Sequence, residues 1–309
     1  MPKRLDVQSF AAYSPATMNT KPFDNTPPIA GTTRVFAVVG DPVAQVLAPR
    51  VFNTIFARHG IDAVLVPASV PAVALSGFVR HVTAAANIDG LWVTIPHKPA
   101  AASIVDHCDA AAAIAGSVNA VRRDADGTLH GGLFDGIGFA HALGHFGFEP
   151  RGRRVLLLGA GGAGAVIALA LCEAGVGVLA LHDLGDRAAQ LADRLAGQVR
   201  GTTIAVAPAD PAGFDLVVNA TPLGLQPDDP LPIDVDRLDA GCVVVDILMK
   251  DRPTPLLRAC AERRITAHAG HEMLVQQVPE YLEFFGLHAA AHAAREEFPR
   301  LRALMGAAP

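Results

Sequence analysis

Uninterrupted apolar runs recur along the chain, each ending in a glycine or polar turn, and helical stretches separate them. Arg34–Val39, Ala63–Pro67, Asp89–Ile95, Val155–Leu158, Val178–Asp183, Thr202–Val206, Leu216–Val218, Cys242–Ile247 and Thr266–His268 read as strands. Most are apolar at successive positions rather than alternate ones, the pattern of strands in a parallel sheet covered on both faces. Between them Pro49–His59, Pro71–Ala84, Ala100–Cys108, Ala110–Ile114, Ile137–Gly144, Ala165–Ala174, Gln276–Phe285 and 288–304 read as helices, with another starting at Thr254–Leu257. Pro49 suits a first helical turn, where its missing N–H costs nothing. Gly116–Val121 reads as a short strand and Asp124–Gly127 as a hairpin turn. The alternation predicts an α/β fold.

The stretch Arg154–Ala165, Arg-Val-Leu-Leu-Leu-Gly-Ala-Gly-Gly-Ala-Gly-Ala, organises the rest. A strand runs into Gly159, Ala160, Gly161, Gly162, Ala163 and Gly164, and a helix follows. Gly159, Gly161 and Gly164 fill the glycine positions of G-x-G-x-x-G, the turn that brings backbone and a helix N-terminus up to a pyrophosphate. Asp183 ends the next strand about 20 residues on, where a carboxylate accepts hydrogen bonds from the adenosine ribose. It would repel a 2′-phosphate; Leu184 and Gly185 offer no cation, and Arg187 is the nearest. The expectation is therefore NAD rather than NADP. The fold expected is α/β with two domains, a substrate-binding domain and a Rossmann-type nucleotide-binding domain, with a cleft between them.

Composition permits this. The 309 residues suffice for two domains, 51% are hydrophobic and 18% charged. A net charge of −5 invites neither nucleic acid nor an anionic membrane. Cys108, Cys172, Cys242 and Cys260 form no C-x-x-C pair and read as reduced, buried thiols of a cytoplasmic protein. No apolar run is long enough for a bilayer span, and the first residues lack a signal-peptide core. Residues 1–32, rich in Pro, Thr, Asn and Ser, read as an N-terminal extension. The partners expected are a small molecule and at most a second copy of the chain, as monomer or homodimer.

Ligands of open α/β sheets bind beyond the strand carboxyl ends, which draws attention to Lys98 and Asp135. Hydride transfer to or from a secondary alcohol needs a group to exchange the hydroxyl proton, and a lysine oriented by a carboxylate can do so. The ordinary reading is a surface lysine and a turn aspartate; the residues alone leave both open. His97, His268 and His271, the last beside Glu272, fit no H-E-x-x-H pattern, and no metal site is expected. G-x-S-x-G is absent and the cysteines lack a nucleophile context, so hydrolases fit poorly.

Several motifs in order resemble the shikimate/quinate dehydrogenase family: Gly40-Asp41-Pro42-Val43, Val93–Lys98, Gly116–Val121, Phe134–Gly138, Gly159–Gly164, Val218–Gly224 and Met273–Gln277. The resemblance runs from about Val35 to Phe285. It implies Lys98 as catalytic lysine with Asp135 as its carboxylate, and Thr94, Asn119 and Gln277 on the ring hydroxyls. It sets the glycine turn, Asp183, Asn219, Thr221, Pro222, Leu223 and Gly270 against the cofactor. It also implies a discontinuous catalytic domain, 33–135 with 271–309, around a nucleotide domain of 136–270.

The departures are specific. Family members that reduce dehydroshikimate grip the substrate carboxylate with a Ser-x-Ser pair, and Val46 and Ala48 occupy those substrate-binding positions here. Losing two hydrogen bonds to a charged acceptor forfeits about 1.5–3 kcal/mol each. Arg50 and Gln45 are the candidates to replace them. Asn-Thr-Asp becomes Leu133-Phe134-Asp135, the threonine after Asn119 becomes Ala120, a tyrosine becomes Met249, and Asn-Arg-Thr of NADP-using members becomes Asp183-Leu184-Gly185. The pattern points to a dehydrogenase acting on shikimate, quinate or a related cyclic polyol or amino-substituted analogue. The alternative is a dinucleotide-binding sensor or partner subunit without turnover.

Overall fold

The computed structural model describes residues 29–226, 228–250 and 252–305; the expected N-terminal extension lies outside them up to residue 28. The first part of the chain runs β1 (Arg34–Gly40), α1 (Ala48–Arg58), β2 (Ala63–Ser69), α2 (Leu75–Val82), β3 (Ile88–Val93), α3 (Lys98–Ala102), β4 (His107–Cys108), α4 (Ala110–Ala115), β5 (Ala120–Arg123), β6 (Leu129–Gly132) and α5 (Asp135–His145). The second runs β7 (Arg154–Leu158), α6 (Gly162–Glu173), β8 (Val178–His182), α7 (Arg187–Ala196), β9 (Thr203–Val206), β10 (Leu216–Asn219), β11 (Val243–Asp246), α8 (Pro255–Glu262) and β12 (Thr266–Ala269). Three helices close the chain: α9 (His271–Phe284), α10 (His288–Glu296) and α11 (Phe298–Met305).

The strands form two sheets. The first is mixed, in the order β2-β1-β3-β5-β6-β4, with β1 parallel to β2 and β3 and with β5 antiparallel to β3 and β6. The second is parallel throughout, β12-β11-β10-β7-β8-β9. Renumbered from β7, that order is 3-2-1-4-5-6, the doubly wound dinucleotide-binding arrangement. Both sheets are covered on both faces, which accounts for the unbroken apolar runs. On β1, Phe36 and Val38 face the core under α1 and the C-terminal helices, while Ala37 and Val39 face that under α2. On β7, Val155 and Leu157 divide in the same way from Leu156 and Leu158. The chain reverses its winding between β1 and β3 in one sheet and between β7 and β10 in the other. These two switch points are where ligand crevices open.

Val275, Val278, Leu282, Ala291 and Leu301 of the last three helices pack with Phe36 and Trp92 of the first sheet and with Phe52 of α1. Between the sheets, α5 lies close to α6 and α9. A Cβ at Gly136 would stand 2.4 Å from the Val166 carbonyl, and one at Gly138 2.5 Å from the Met273 carbonyl.

A buried ion pair fastens α11 to the start of α9. Glu272, 5% exposed, accepts two hydrogen bonds at 2.7 Å from Arg302 and one from Gln276. Burial pushes the Glu272 carboxyl up, but Arg302, Gln276 and His145 outweigh it and hold it below the ordinary value. A carboxyl depressed on folding stabilises the fold above its unfolded pKa, and the stabilisation is lost as pH falls through the lower folded value. Arg302→Met strands the charge, and the expected loss is about 3–5 kcal/mol at pH 7. Urea unfolding at pH 7 and pH 4 should show the gap from the unsubstituted protein narrowing at the lower pH; an equal gap would contradict the account.

Several elements differ from the pattern's prediction. The helix expected over Ala100–Cys108 stops at Ala102, because Asp106 hydrogen-bonds Leu129 and His107–Cys108 pairs with β6. The single helix expected over 288–304 is two, since Pro299 cannot continue the helix hydrogen bonding. The strand predicted at Gly116–Val121 starts only at Ala120; Gly116, at φ +59°, closes α4 instead. α7 stands outside the predicted elements, and its Ala188, Leu191 and Leu195 carry a helical spacing onto the core.

Candidate active site

The crevice beyond β1 and β3 faces the N-terminus of α6. Lys98 opens α3 and Asp135 opens α5, and Lys98 Nζ donates to Asp135 Oδ2 at 2.7 Å. Asp135 is 5% exposed, whereas the Lys98 side chain keeps 28% of its surface in the cleft. Asn119 Nδ2 donates to the other Asp135 oxygen at 3.3 Å and lies 3.5 Å from Gln277 Oε1. Its own Oδ1 accepts the Phe134 N–H at 3.2 Å. Asp109 caps α4 through Ala112 and accepts the Leu133 N–H at 3.1 Å, fixing the approach to Asp135. Residues 37 and 158 positions apart thus meet at one carboxylate and its amide neighbour.

A cavity of about 280 Å³ opens over the pair, lined by Ile95, Pro96, Lys98, Pro99, Ser117, Leu133 and Asp135, and by Gly162 and Ala163 of the second sheet's first helix. Sequence reasoning missed Ser117 and Ile95 as lining residues; their places inside Gly116–Val121 and Val93–Lys98 were the available signal. His97 is buried beside Lys98; its ring lies 2.6 Å from the Val70 carbonyl and ties the lysine's turn to the end of β2. Thr94 is partly buried at the end of β3, its N–H on the Val39 carbonyl.

Val46 and Ala48 pack with Phe134 and Tyr281 against the aromatic core. Gln45 spends its amide on the Pro42 carbonyl at 2.9 Å. Arg50 stands two residues beyond Ala48 on α1, about 200° around the helix.

Across the cleft the glycine turn does what its spacing requires. Gly159 adopts φ +96°, and a Cβ there would stand 2.6 Å from the Ala220 carbonyl. A Cβ on Gly164 would stand 1.9 Å from the Gly159 carbonyl, so α6 reaches the strand only without one. At Gly161, the residue before α6, no protein atom comes within 4 Å of the Cβ position. That bare backbone, above the free N–H groups of a 12-residue helix, fits a dinucleotide pyrophosphate. Beyond β10, Asn219 Oδ1 accepts from the Thr221 N–H and hydroxyl, and Asn219 Nδ2 donates to Leu223 O and Asp246. Pro222 is exposed on that loop. A Cβ on Gly270 would stand 2.4 Å from the Ile247 carbonyl, which brings the start of α9 against the end of β11.

Other chemistry is poorly served. Burial pushes the thiols of Cys172 and Cys260 up to about 11 and that of Cys242 up to about 12, so they stay protonated and unreactive. His268 stacks on Phe146 at 3.9 Å, and burial, then His145, lowers its pKa. Among the described residues no three His, Cys, Asp or Glu side chains gather as a metal site, and no helix is long and apolar enough to cross a membrane.

Two sheets, a bare helix N-terminus at one switch point and a lysine–carboxylate pair at the other define a two-domain, dinucleotide-dependent dehydrogenase. Residues 38–121 match the family described as the shikimate dehydrogenase substrate binding domain. A shikimate dehydrogenase (NADP(+)) of Rubrobacter xylanophilus is 39% identical over 82% of this chain and 90% of its own length. The structure of a Listeria monocytogenes shikimate 5-dehydrogenase in complex with shikimate and NAD superposes with a TM-score of 0.76. It is 26% identical and covers 84% of this chain and 93% of its own. A Thermus thermophilus shikimate 5-dehydrogenase in complex with NADP(H) and shikimate gives a TM-score of 0.71 at 29% identity, over 85% and 100%. The chain belongs to the shikimate dehydrogenase family.

The expected preference for NAD does not stand. Curated relatives matching over most of the chain are NADP(+) enzymes, and the geometry supplies a reason. Asp183 accepts the Ala160 and Leu184 N–H groups, each at 2.6 Å, so its carboxylate is committed to the loop backbone. The Arg187 guanidinium, largely exposed, stands 3.8 Å from it and offsets its charge.

Proposed function

We propose that the protein transfers hydride between NADP(H) and a ring hydroxyl of shikimate, quinate or a related cyclic hydroxy compound. Lys98 exchanges the hydroxyl proton and Asp135 holds the lysine in place. The observation carrying this is the 2.7 Å Lys98–Asp135 pair in a cavity whose far wall is the start of α6. The nicotinamide of the bound dinucleotide supplies or accepts the hydride at the ring carbon. In the reducing direction the Lys98 ammonium gives its proton to the substrate oxygen as the carbonyl becomes a hydroxyl; in oxidation the neutral amine takes it back. Asp135 orients the amine, and Asn119 fixes Asp135 from the other side. Gln277 and Thr94 hold neighbouring hydroxyls. Gly159 to Gly164, the loop from Asn219 to Leu223, Asp183 and Gly270 form the cofactor side.

The domain division of 33–135 with 271–309 against 136–270 belongs to this reading, and the packing of the last three helices on the first sheet supports it. So does a cytoplasmic location, supported by four unpaired cysteines. Arg187 is the cation for the 2′-phosphate. Arg187→Ala should weaken NADP binding about tenfold, the value of one charged hydrogen bond, and leave NAD within about twofold. Parallel titrations of both dinucleotides check this, and equal losses would remove Arg187 from that role. The test of the function is steady-state oxidation of shikimate, quinate and neutral ring analogues with NADP. Turnover that vanishes in Lys98→Ala supports it; dinucleotide binding with no turnover of any member would overturn it.

A further inference from the structure

Beside the Lys98–Asp135 pair stands an aromatic wall of groups that the proton and hydride steps leave unused. Tyr281 lies on α9 one turn beyond Gln277, so both side chains stand on one helix face. Its ring stacks on Trp92 with centroids 5.5 Å apart and meets Phe134 and Phe52 edge-on at 5.1 and 5.9 Å. Phe52 in turn stands one turn along α1 from Ala48. Asp135 is close enough to act on the Tyr281 hydroxyl electrostatically: burial first, and then the Asp135 charge, raises its pKa. Two buried donors in this neighbourhood, the Gln277 amide Nε2 and the Trp92 indole N–H, have no hydrogen-bond partner.

Among the described residues no free cation stacks on the rings of this wall. Lys98 is bound to Asp135. The Arg122 guanidinium lies over the Phe284 ring and donates to the Phe284 carbonyl, behind Phe134. Arg50 is exposed on α1, where its Cα stands about 200° around the helix from that of Ala48, and Gln45 is engaged with Pro42. A carboxylate lodged here would lose its water, face the negative π-surfaces of the rings and stand near Asp135 without a counter-ion. A hydroxyl or carbonyl oxygen suffers none of this. It accepts from the orphaned amide, and a hydroxyl also has a proton to donate.

We infer that this aromatic wall is a subsite for an uncharged ring substituent, with Tyr281 as its specificity-determining residue. The enzyme therefore takes a neutral cyclic polyol, or the corresponding ketone, in preference to the matching acid. The inference rests on the proposed dehydrogenase reading and narrows its substrate class. Discrimination arises because the wall offers an anion aromatic faces, the nearby Asp135 charge and fewer donors than a desolvated carboxylate needs.

The experiment compares shikimate with its carboxamide and methyl ester, using NADP, in the unsubstituted protein, in Tyr281→Phe and in Lys98→Ala. The expected kcat/KM for the carboxamide is at least about tenfold above that for shikimate, because a desolvated anion loses that much or more against a neutral isostere. Tyr281→Phe keeps the ring packing and removes one hydroxyl. It should raise KM for the carboxamide about five- to tenfold while kcat changes less than about twofold, as loss of a uniform binding contact does. A kcat/KM that favours shikimate would overturn the neutral subsite and leave the dehydrogenase reading intact. An unchanged KM in Tyr281→Phe would remove Tyr281 from the role. Absence of Lys98-dependent turnover with all three compounds would overturn the dehydrogenase reading and this inference with it.

Discussion

Lys98→Ala is expected to lower kcat about 10²- to 10⁴-fold, the range for removing a positioned general acid or base. The dinucleotide dissociation constant should stay within about twofold. The two effects separate because Lys98 and the pyrophosphate cradle stand on opposite walls of the cleft, on α3 and at the start of α6. Removing the amine leaves Asp135 buried, with Asn119 as its remaining side-chain donor, so some loss of stability should accompany the loss of rate. Single-turnover rates and a fluorescence titration of NADP measure the two quantities independently. A kcat within tenfold of the unsubstituted value would remove Lys98 from the proton transfer. Equal losses of binding and rate would point to collapse of the cleft instead.

Gly164→Ala is expected to destabilise the protein by about 3 kcal/mol or more, at the upper end of overpacking costs. The added carbon would sit 1.9 Å from the Gly159 carbonyl. Gly159 cannot retreat, being held at φ +96° with the Ala220 carbonyl on its other side. The helix must therefore lift from the strand, which moves the N–H groups that receive the pyrophosphate. Thermal unfolding should show a lower Tm, and NADP titration a lost or greatly weakened affinity. Gly161→Ala is the counterpart: its methyl meets no protein atom within 4 Å, so Tm should hold while NADP affinity falls. If both variants keep Tm, the close approach of helix and strand is not what Gly164 provides.

The comparison of sequence and structure turns on particular residues. The strand Val155–Leu158, the glycines after it and the helix beyond were legible because each is a local requirement. Apolar side chains on both faces, absence of a Cβ and a helix N-terminus all leave their mark on adjacent positions. Asp183 shows where local reading fails. An acidic residue at the end of β8 is correct chemistry for a ribose, but the sequence does not reveal that its oxygens are taken by Ala160 and Leu184. Nor does it reveal that Arg187 folds back beside it. Tyr281 was invisible for another reason: an aromatic residue in a helix that also packs a core gives no sign of which neighbours its ring meets. The helix predicted over Ala100–Cys108 failed because pairing with β6 outweighed the alanine propensity.

By itself the sequence determined the α/β class, the dinucleotide turn and the residue types a hydride-transfer site needs, since periodicity and glycine spacing act over a few residues. Only the tertiary structure decided which of those residues share one carboxylate, which cation stands at the ribose end and what lines the far wall of the pocket. Those depend on contacts between residues such as Asn119 and Gln277, 158 positions apart. Such contacts form when helices pack on sheets, and no local pattern in the chain encodes the distance between them.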